Sequence, residues 1–271
     1  MSGSTPSTAT ASAVAGFRDP DAYEQVMGRW SRRFAPTLLR FGGVGAADRV
    51  LDVGCGTGSL ILSVPEVADV ARVVGIDPTE AYVARLQARI TDPRLSAQLG
   101  DARALPFADD SFDRTYAMFV LMFIPDADRA LADMIRVTRK GGTVTAATWD
   151  SFGSLTPPRL VWNAAMARDP DFVPPLFRPF NTLGDMASAW RGCGLLDVEE
   201  TTFLVRQEFA NFDEFWHATI GEGPQAVYIE SLPQADRAGV MANVRRAYCA
   251  NQPDGPRSFA CAALACRGTV P

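Results

Sequence analysis

Short apolar runs alternate along the first half of the chain with segments whose apolar positions recur every three or four residues. "RVLDV" at 49–53 and "VVGID" at 73–77 are continuous apolar runs of the length and composition of strands buried on both faces. After the second run, Thr79 stands where an N-cap belongs, and Val83, Leu86 and Ile90 share one helical face. "SAQLGDA" ends a third strand, "FDRTYAMFVL" from Phe112 is a fourth, and "TVTAATW" is a fifth. Between the last two, a helix after Asp126 presents Leu131, Met134 and Ile135. It is expected to stop at Gly141 and Gly142, with Arg136, Arg139 and Lys140 in a last turn that suits the helix dipole. Strand and helix in strict alternation predict an α/β fold: a doubly wound, mainly parallel sheet with helices on both faces.

The flanks break this rhythm. Asp21 to Phe41 has helical spacing interrupted by Pro36, which predicts one or two helices covering the sheet, with a break at the proline. A helix should also follow from Ser59 through Leu60, Ile61 and Val64, kinked or restarted at Pro65. Beyond Asp150 come a proline- and aromatic-rich segment from Phe152 to Phe180, a helix through Trp190, a strand "VEETTFLV" and a helix from Phe212. The last apolar run, "RSFACAALACRG", has the character of a closing antiparallel strand. The implied organisation is a disordered tail at 1–16, a helical cover at 17–47, a core at 48–150, and a substrate-side insertion with the closing strands of the same sheet at 151–271.

Composition narrows the function classes. Apolar residues make up 47% and charged residues 21% of 271 positions, which suits one large core or a core with a small appendage, and no stretch approaches the ~18 apolar residues of a membrane span. A net charge of −5 argues against a surface that binds phosphate backbones, so neither nucleic acid nor membrane is an expected partner. The five cysteines form no C-x-x-C pair, which favours a reducing cytoplasm over a disulfide framework, and no metal site is indicated.

Candidate chemistry begins at "VLDVGCGTGSL", residues 50–60, where Gly54, Gly56 and Gly58 follow a strand that ends in Asp52. A dinucleotide fingerprint would require glycine at 59, where Ser59 stands, and a P-loop would end in Gly-Lys-Ser/Thr. Asp52 would also repel a pyrophosphate and attract a cation, so the loop suits a ligand with a positive end. In a doubly wound sheet the ligand sits at the carboxyl ends of the strands, and there the chain places Asp77, Gly100-Asp101-Ala102, and Phe119 to Phe123. A carboxylate at the second strand tip can accept both hydroxyls of a ribose, and Asp101 with the Ala102 N–H can meet an adenine edge. Together these describe an adenosine site without phosphates.

"VLDVGCGTG", "VVGIDPT", "GDARALPFADDSFD" and "RVTRKGGTV", in that order across roughly residues 48 to 150, resemble the class I S-adenosylmethionine-dependent methyltransferases. The similarity lies with the small-molecule branch that includes the ubiquinone and menaquinone biosynthesis methyltransferases and their type-11 relatives. The resemblance implies a seven-stranded Rossmann-like sheet, S-adenosyl-L-methionine as cofactor, and a small-molecule methyl acceptor, with the protein a monomer or homodimer. It implies that Gly54, Gly56 and Gly58 admit the methionine part of the cofactor and that Asp52 faces its ammonium group. Asp77 and Pro78 would then serve the ribose, Asp101 and Ala102 the adenine, Phe119 a backbone carbonyl near the amino group, and Arg29 the closure over the cofactor.

Many relatives carry histidine after the fourth strand, where this chain reads Leu121-Met122-Phe123-Ile124-Pro125, so the general base is unassigned. Tyr23, Trp149 and Asp150 are candidate catalytic residues, with Arg29 and Trp30 beside Tyr23 in the covering segment. Cys55 needs only to be small for the turn. His217, the one histidine, lies off the face shared by Phe212, Phe215, Trp216 and Ile220, and the reading for it is solvation, while that aromatic stripe reads as core. The abundance of Phe, Trp and Pro after the fifth strand points to an apolar or aromatic acceptor. Two alternatives stand beside methyl transfer: a non-methylating S-adenosylmethionine-binding protein, and a nucleotide-dependent oxidoreductase.

Overall fold

The computed structural model describes residues 19–176 and 178–271; the tail expected at 1–16 lies outside the described residues. In chain order the elements are α1 (Pro20–Tyr23), a π-turn (Glu24–Gly28), α2 (Arg29–Phe41), β1 (Arg49–Val53), a 3-10 turn (Ile61–Ser63), α3 (Val64–Val67), β2 (Arg72–Asp77), α4 (Glu80–Gln87), β3 (Leu95–Leu99), β4 (Phe112–Met118), a 3-10 turn (Leu121–Phe123), α5 (Ala127–Val137), β5 (Thr138–Trp149), α6 (Thr156–Arg168), α7 (Asp185–Gly192), β6 (Leu196–Phe209), α8 (Phe212–Ile220), α9 (Pro224–Ser231), α10 (Gln234–Cys249) and β7 (Arg257–Thr269). The seven strands form one sheet in the order β3-β2-β1-β4-β5-β7-β6, all parallel except β7, which runs antiparallel to both neighbours. The doubly wound, mainly parallel architecture is the one the alternation predicts, and its seven strands are those the resemblance implies.

Both faces of the sheet are covered, which is why its central strands read as unbroken apolar runs. Val50, Val73 and Tyr116 pack on one side with Phe34, Leu38 and Leu39 of α2. Leu51, Val74 and Ala117 pack on the other with Leu131 and Met134 of α5 and Trp190 of α7. The order changes direction between β1 and β4, so their carboxyl ends open the crevice in which such sheets bind ligands.

Several local expectations are corrected. Helix α2 runs through Pro36 without breaking, because Phe34, Ala35, Leu38 and Leu39 on both sides of the proline are buried against the sheet. The chain after Ser59 forms turns and the four-residue α3 rather than a long helix. Thr79 holds the N-cap of α4 without a side-chain capping bond. Helix α5 ends at Val137 and β5 begins at Thr138, so Arg139 and Lys140 lie in the strand. The Thr138 hydroxyl bonds the Met134 carbonyl at 2.7 Å, closing the helix, and Arg139 turns to Asp113 instead of the helix dipole. Helices α6, α9 and α10 were not anticipated. Two prolines occupy the first turn of α6, where a missing N–H costs nothing, and in α10 a narrow stripe of Val240, Val244 and Tyr248 is the buried part of a largely polar helix.

Two carboxylates tie the strands together and titrate in opposite senses. Asp113, at the start of β4, takes the backbone N–H and Nε of Arg49 on one oxygen, at 2.8 and 3.0 Å, and Nε of Arg139 on the other. Against the desolvation of its position, the hydrogen bonds from Arg49 and Arg139 hold its carboxyl well below the usual range. Asp52, at the tip of β1, is 1% exposed and accepts one N–H, from Ile61 at 3.1 Å. Burial pushes its carboxyl up to about 7; the Ile61 bond opposes this and nearby Asp77 adds to it.

The signs give a prediction for the ligand-free protein. An aspartate lowered on folding adds stability above its unfolded pKa of ~3.9, and that stability is lost on acidification. One raised on folding adds stability at low pH, lost as pH rises to its folded value. The melting-temperature difference between wild type and Asp113→Asn should therefore shrink as pH falls below ~4. The difference between wild type and Asp52→Asn should shrink as pH rises from ~4 to about 7 and be flat above. Calorimetric scans across pH 3–8 check both; a pH-independent difference for either variant would contradict its assignment.

Candidate functional site

The glycine loop hangs on the tip of β2. The N–H groups of Gly54 and Cys55 both donate to the Ile76 carbonyl, at 2.8 and 3.1 Å, and the Gly56 N–H donates to the Asp77 carboxylate at 3.0 Å. The other oxygen of Asp77 accepts the Thr79 N–H at 2.9 Å. This path requires left-handed backbone at Gly54 and Gly56, with φ of 71° and 52°. A Cβ at Gly54 would stand 2.4 Å from Val120, whereas one at Gly56 would meet only the Tyr23 ring, at 3.9 Å. Gly56 therefore borders open space, and that space is a cavity of about 410 Å³.

The tips of β1, β2 and β3 contribute Gly54, Gly56, Asp77, Pro78, Asp101 and Ala102 to the cavity wall. The segment after β5 contributes Leu155, Trp162 and Leu176, and Phe119 and Trp149 stand at the ends of β4 and β5. Phe119 has a φ of 60°, a conformation that costs about 1–3 kcal/mol for a bulky residue. Its N–H donates to the Ala147 carbonyl at 2.7 Å, and its ring stacks on Trp149 with centroids 4.1 Å apart and planes 8° apart. That stack and bond hold the strained residue across the two central strand ends.

The structure divides the residues singled out from the sequence. Tyr23 and Trp149 line the cavity with the glycine-loop, Asp77 and Asp101 groups. Asp52, Gly58, Arg29 and Asp150 are not among its lining residues. The Asp52 carboxylate is spent beneath the loop on Ile61, and a Cβ at Gly58 would abut Leu86 at 2.5 Å. Arg29 pairs with Glu214 and lies over the Trp30 ring at 4.1 Å, held there by its acid and its aromatic neighbour. Asp150 closes a turn by accepting the Gly153 N–H at 2.7 Å and the Ser154 hydroxyl at 3.0 Å. Trp30 is core, His217 is exposed with Nδ1 2.7 Å from the Asp213 carbonyl, and Cys55 is buried with its thiol raised well above the ordinary value by desolvation. Helix α8 offers Ala218 and Thr219 to the cavity, while Phe212 and Phe215 of its aromatic stripe are buried in the core with Tyr248.

Other lining groups were missed. Glu222 is 5% exposed and accepts the Tyr82 hydroxyl at 2.9 Å and the Asp19 N–H, tying the covering segment and α4 to the loop after α8. Burial, with Asp77 next in effect, raises the Tyr23 phenol, and burial with Glu222 raises that of Tyr82, so both stay protonated at neutral pH. Gln207 Nε2 and Trp149 Nε1 are buried donors with no hydrogen-bond partner among the described residues. Asp101 is bound by Arg103 through Nε and the terminal nitrogen, at 3.0 and 2.6 Å, which lowers its pKa. Among the described residues, no group of three or more His, Cys, Asp or Glu has the arrangement of a metal site.

Comparison with known proteins agrees with this geometry. Residues 51–146 match the family model described as a methyltransferase domain. An uncharacterized protein of Mycobacterium tuberculosis is 38% identical over 120 residues, 44% of this chain and 43% of its own length, so the chain spans less than half of that relative. A demethylmenaquinone methyltransferase of a Roseiflexus species is 29% identical over 183 residues, covering 62% of this chain and 76% of the relative. The crystal structure of the YcgJ protein of Bacillus subtilis superposes with a TM-score of 0.58 over 89% of this chain and 98% of its own, at 19% identity, and shares the fold. The glycine loop and the Asp77 clamp both lie within residues 51–146, the stretch that matches the methyltransferase domain.

Proposed function

We propose that the cavity binds S-adenosyl-L-methionine and that the protein transfers its methyl group to a small, apolar or aromatic acceptor. The observation that carries this reading is the Asp77 clamp beside the open face of Gly56. It brings a buried carboxylate and an approachable backbone to one wall of a largely apolar cavity. Each Asp77 oxygen accepts one backbone N–H and retains capacity for a ribose hydroxyl. Ala102, with Asp101, lies on the same wall for the adenine, and Asp77, Asp101 and Glu222 suit a cationic ligand better than a pyrophosphate. That acidic lining, with Ser59 in place of a third fingerprint glycine, disfavours the oxidoreductase alternative.

When bound, the cofactor supplies an electrophilic methyl on a sulfonium. The chain's residues then position and dehydrate. Trp149, Leu155, Trp162 and Leu176 exclude water, and an in-line displacement gains most from held geometry in a dry site. The phenols of Tyr23 and Tyr82 stay protonated, Tyr82 donating to Glu222, and no imidazole lines the cavity. The favoured acceptor therefore brings a nucleophile that needs no histidine base. The similarity to a demethylmenaquinone methyltransferase supports an aromatic acceptor. Free cysteines among the described residues, and no helix there long and apolar enough to cross a membrane, support a cytoplasmic site of action. Incubation with methyl-labelled cofactor and a panel of aromatic acceptors tests the reading: label should pass to an acceptor, and failure to bind the cofactor would refute it.

Three sets of variants refine it. Asp77→Ala should weaken cofactor binding about 10- to 100-fold, as expected for losing charge-assisted hydrogen bonds, with Asp77→Asn intermediate. Gly56→Val should abolish binding, since it places a β-branched side chain at positive φ and into the cavity, whereas Cys55→Ser should leave affinity unchanged. Titration calorimetry on folded variants reads these outcomes. His217→Ala should retain most of the turnover rate, because a general base contributes about 10²- to 10⁴-fold. A loss of that size with cofactor still bound would place the histidine in the chemistry.

A further inference from the structure

We propose that Arg178 anchors an anionic oxygen group, carboxylate or phosphate, on the methyl acceptor, so that the substrate is an acid with an apolar body. The inference rests on the acceptor reading above and adds the substrate's charge to it.

Of the charged side chains that line the cavity, Asp77 holds the glycine loop, Asp101 and Arg103 hold each other, and Glu222 takes the Tyr82 hydroxyl. Arg178 differs from all of these. Its guanidinium has no carboxylate within ion-pair distance among the described residues and lies over the Phe123 ring, 5.1 Å from its centre. Stacking on a phenyl face attracts a cation but does not neutralise it. Elsewhere in the chain the partly buried arginines at 29, 49, 94, 114, 136 and 139 each meet an acid, and Arg159 and Arg257, which meet none, instead donate to Asn163 and backbone carbonyls away from the cavity lining. Burial lowers the Arg178 pKa with no opposing partner, so the cation is left under-compensated until an anion arrives.

The position is built rather than incidental. The Arg178 N–H donates to Asn181 Oδ1 at 3.2 Å, and Asn181 Nδ2 donates to the Leu176 carbonyl at 2.6 Å, with Asn181 itself 1% exposed. The Thr148 hydroxyl of β5 donates to the Phe180 carbonyl at 2.6 Å, fixing this turn to the sheet. Arg178 therefore lines the cavity from the segment that follows β5, beside Phe123, in a different part of the chain from the Asp77 and Asp101 strand tips. A planar fork of donors above an aromatic ring suits a carboxylate or phosphate joined to a flat apolar body.

The test uses the full chain saturated with S-adenosylhomocysteine and three probes: 2-naphthoate, 2-naphthyl phosphate and the neutral isostere 2-naphthamide. Wild type should bind at least one anion about tenfold or more tightly than the amide, and which one it prefers names the group. Arg178→Gln should bring the preference to about one, Arg178→Lys should keep part of it, and both variants should bind S-adenosylhomocysteine as wild type does. Equal binding of all three probes, no binding of any of them, or a preference that survives Arg178→Gln would overturn the proposal. So would a loss of S-adenosylhomocysteine affinity in Arg178→Gln, which would give the anion to the cofactor's own carboxylate. Failure of wild type to bind S-adenosylhomocysteine would instead strike the cofactor reading itself, and this inference with it.

Discussion

The site depends on the bond between the Gly56 N–H and the Asp77 carboxylate. Parallel pairing of β1 with β2 sets both strand tips on one edge of the sheet, and Asp77 then reaches across to the loop that leaves β1. The Ile76 carbonyl takes two further N–H groups from the same loop, so three consecutive residues are fixed to a neighbouring strand. Only left-handed backbone at Gly54 and Gly56 lets the chain follow that path. Asp77 is 7% exposed, and burial raises its pKa while the bonds from Thr79 and Gly56 lower it. Its charge is thus sustained by the backbone it organises, and a ligand hydroxyl would add to the same balance.

What the sequence made legible follows from what is local. β1 and β2 read clearly because they are buried on both faces, which leaves short apolar runs, while β3, β4 and β5 are placed by their alternation with helices. The glycine loop and Asp77 could be placed at one edge of the sheet from sequence because backbone conformation and strand-tip position suffice to define them. Arg29 and Asp52 lie off the cavity lining, a placement the sequence does not carry, because a charge near the glycine loop looks the same whether it serves a ligand or the local fold. Glu214 and the Trp30 ring take Arg29, and the Ile61 N–H takes Asp52. Those partners are set by packing. The basic run ending at Lys140 misled for a related reason: Asp113, distant in sequence, competes for Arg139 against the helix end.

The region after β5 was least legible, and there tertiary contacts do the positioning. Prolines at 157 and 158 suggested irregular chain but sit in the first turn of α6, and that helix brings Trp162 to the cavity. Arg178 lies in a proline-rich stretch with no periodicity, and its placement depends on Asn181 and on a hydroxyl from β5. Glu222 depends on Tyr82, 140 positions earlier. None of these relations has a sequence period, so pattern reading could identify the residues only as isolated polar groups.

The resulting cavity is electrically two-sided. Carboxylates come with the strand tips and the loop after α8, while an arginine without an acid comes with the segment after β5. In an apolar enclosure such an arrangement favours one cationic and one anionic partner over two of the same sign, because solvent screening is reduced and each fixed charge acts at nearly full strength. Methyl transfer from a sulfonium removes the positive charge from sulfur. If the proposed cofactor binds there, the acidic lining would hold it more strongly before transfer than after, and that difference would favour its exchange. Arg178 has no ion pair with those acids, so an acid group held there would keep its anchor while the charge on the cofactor side disappears.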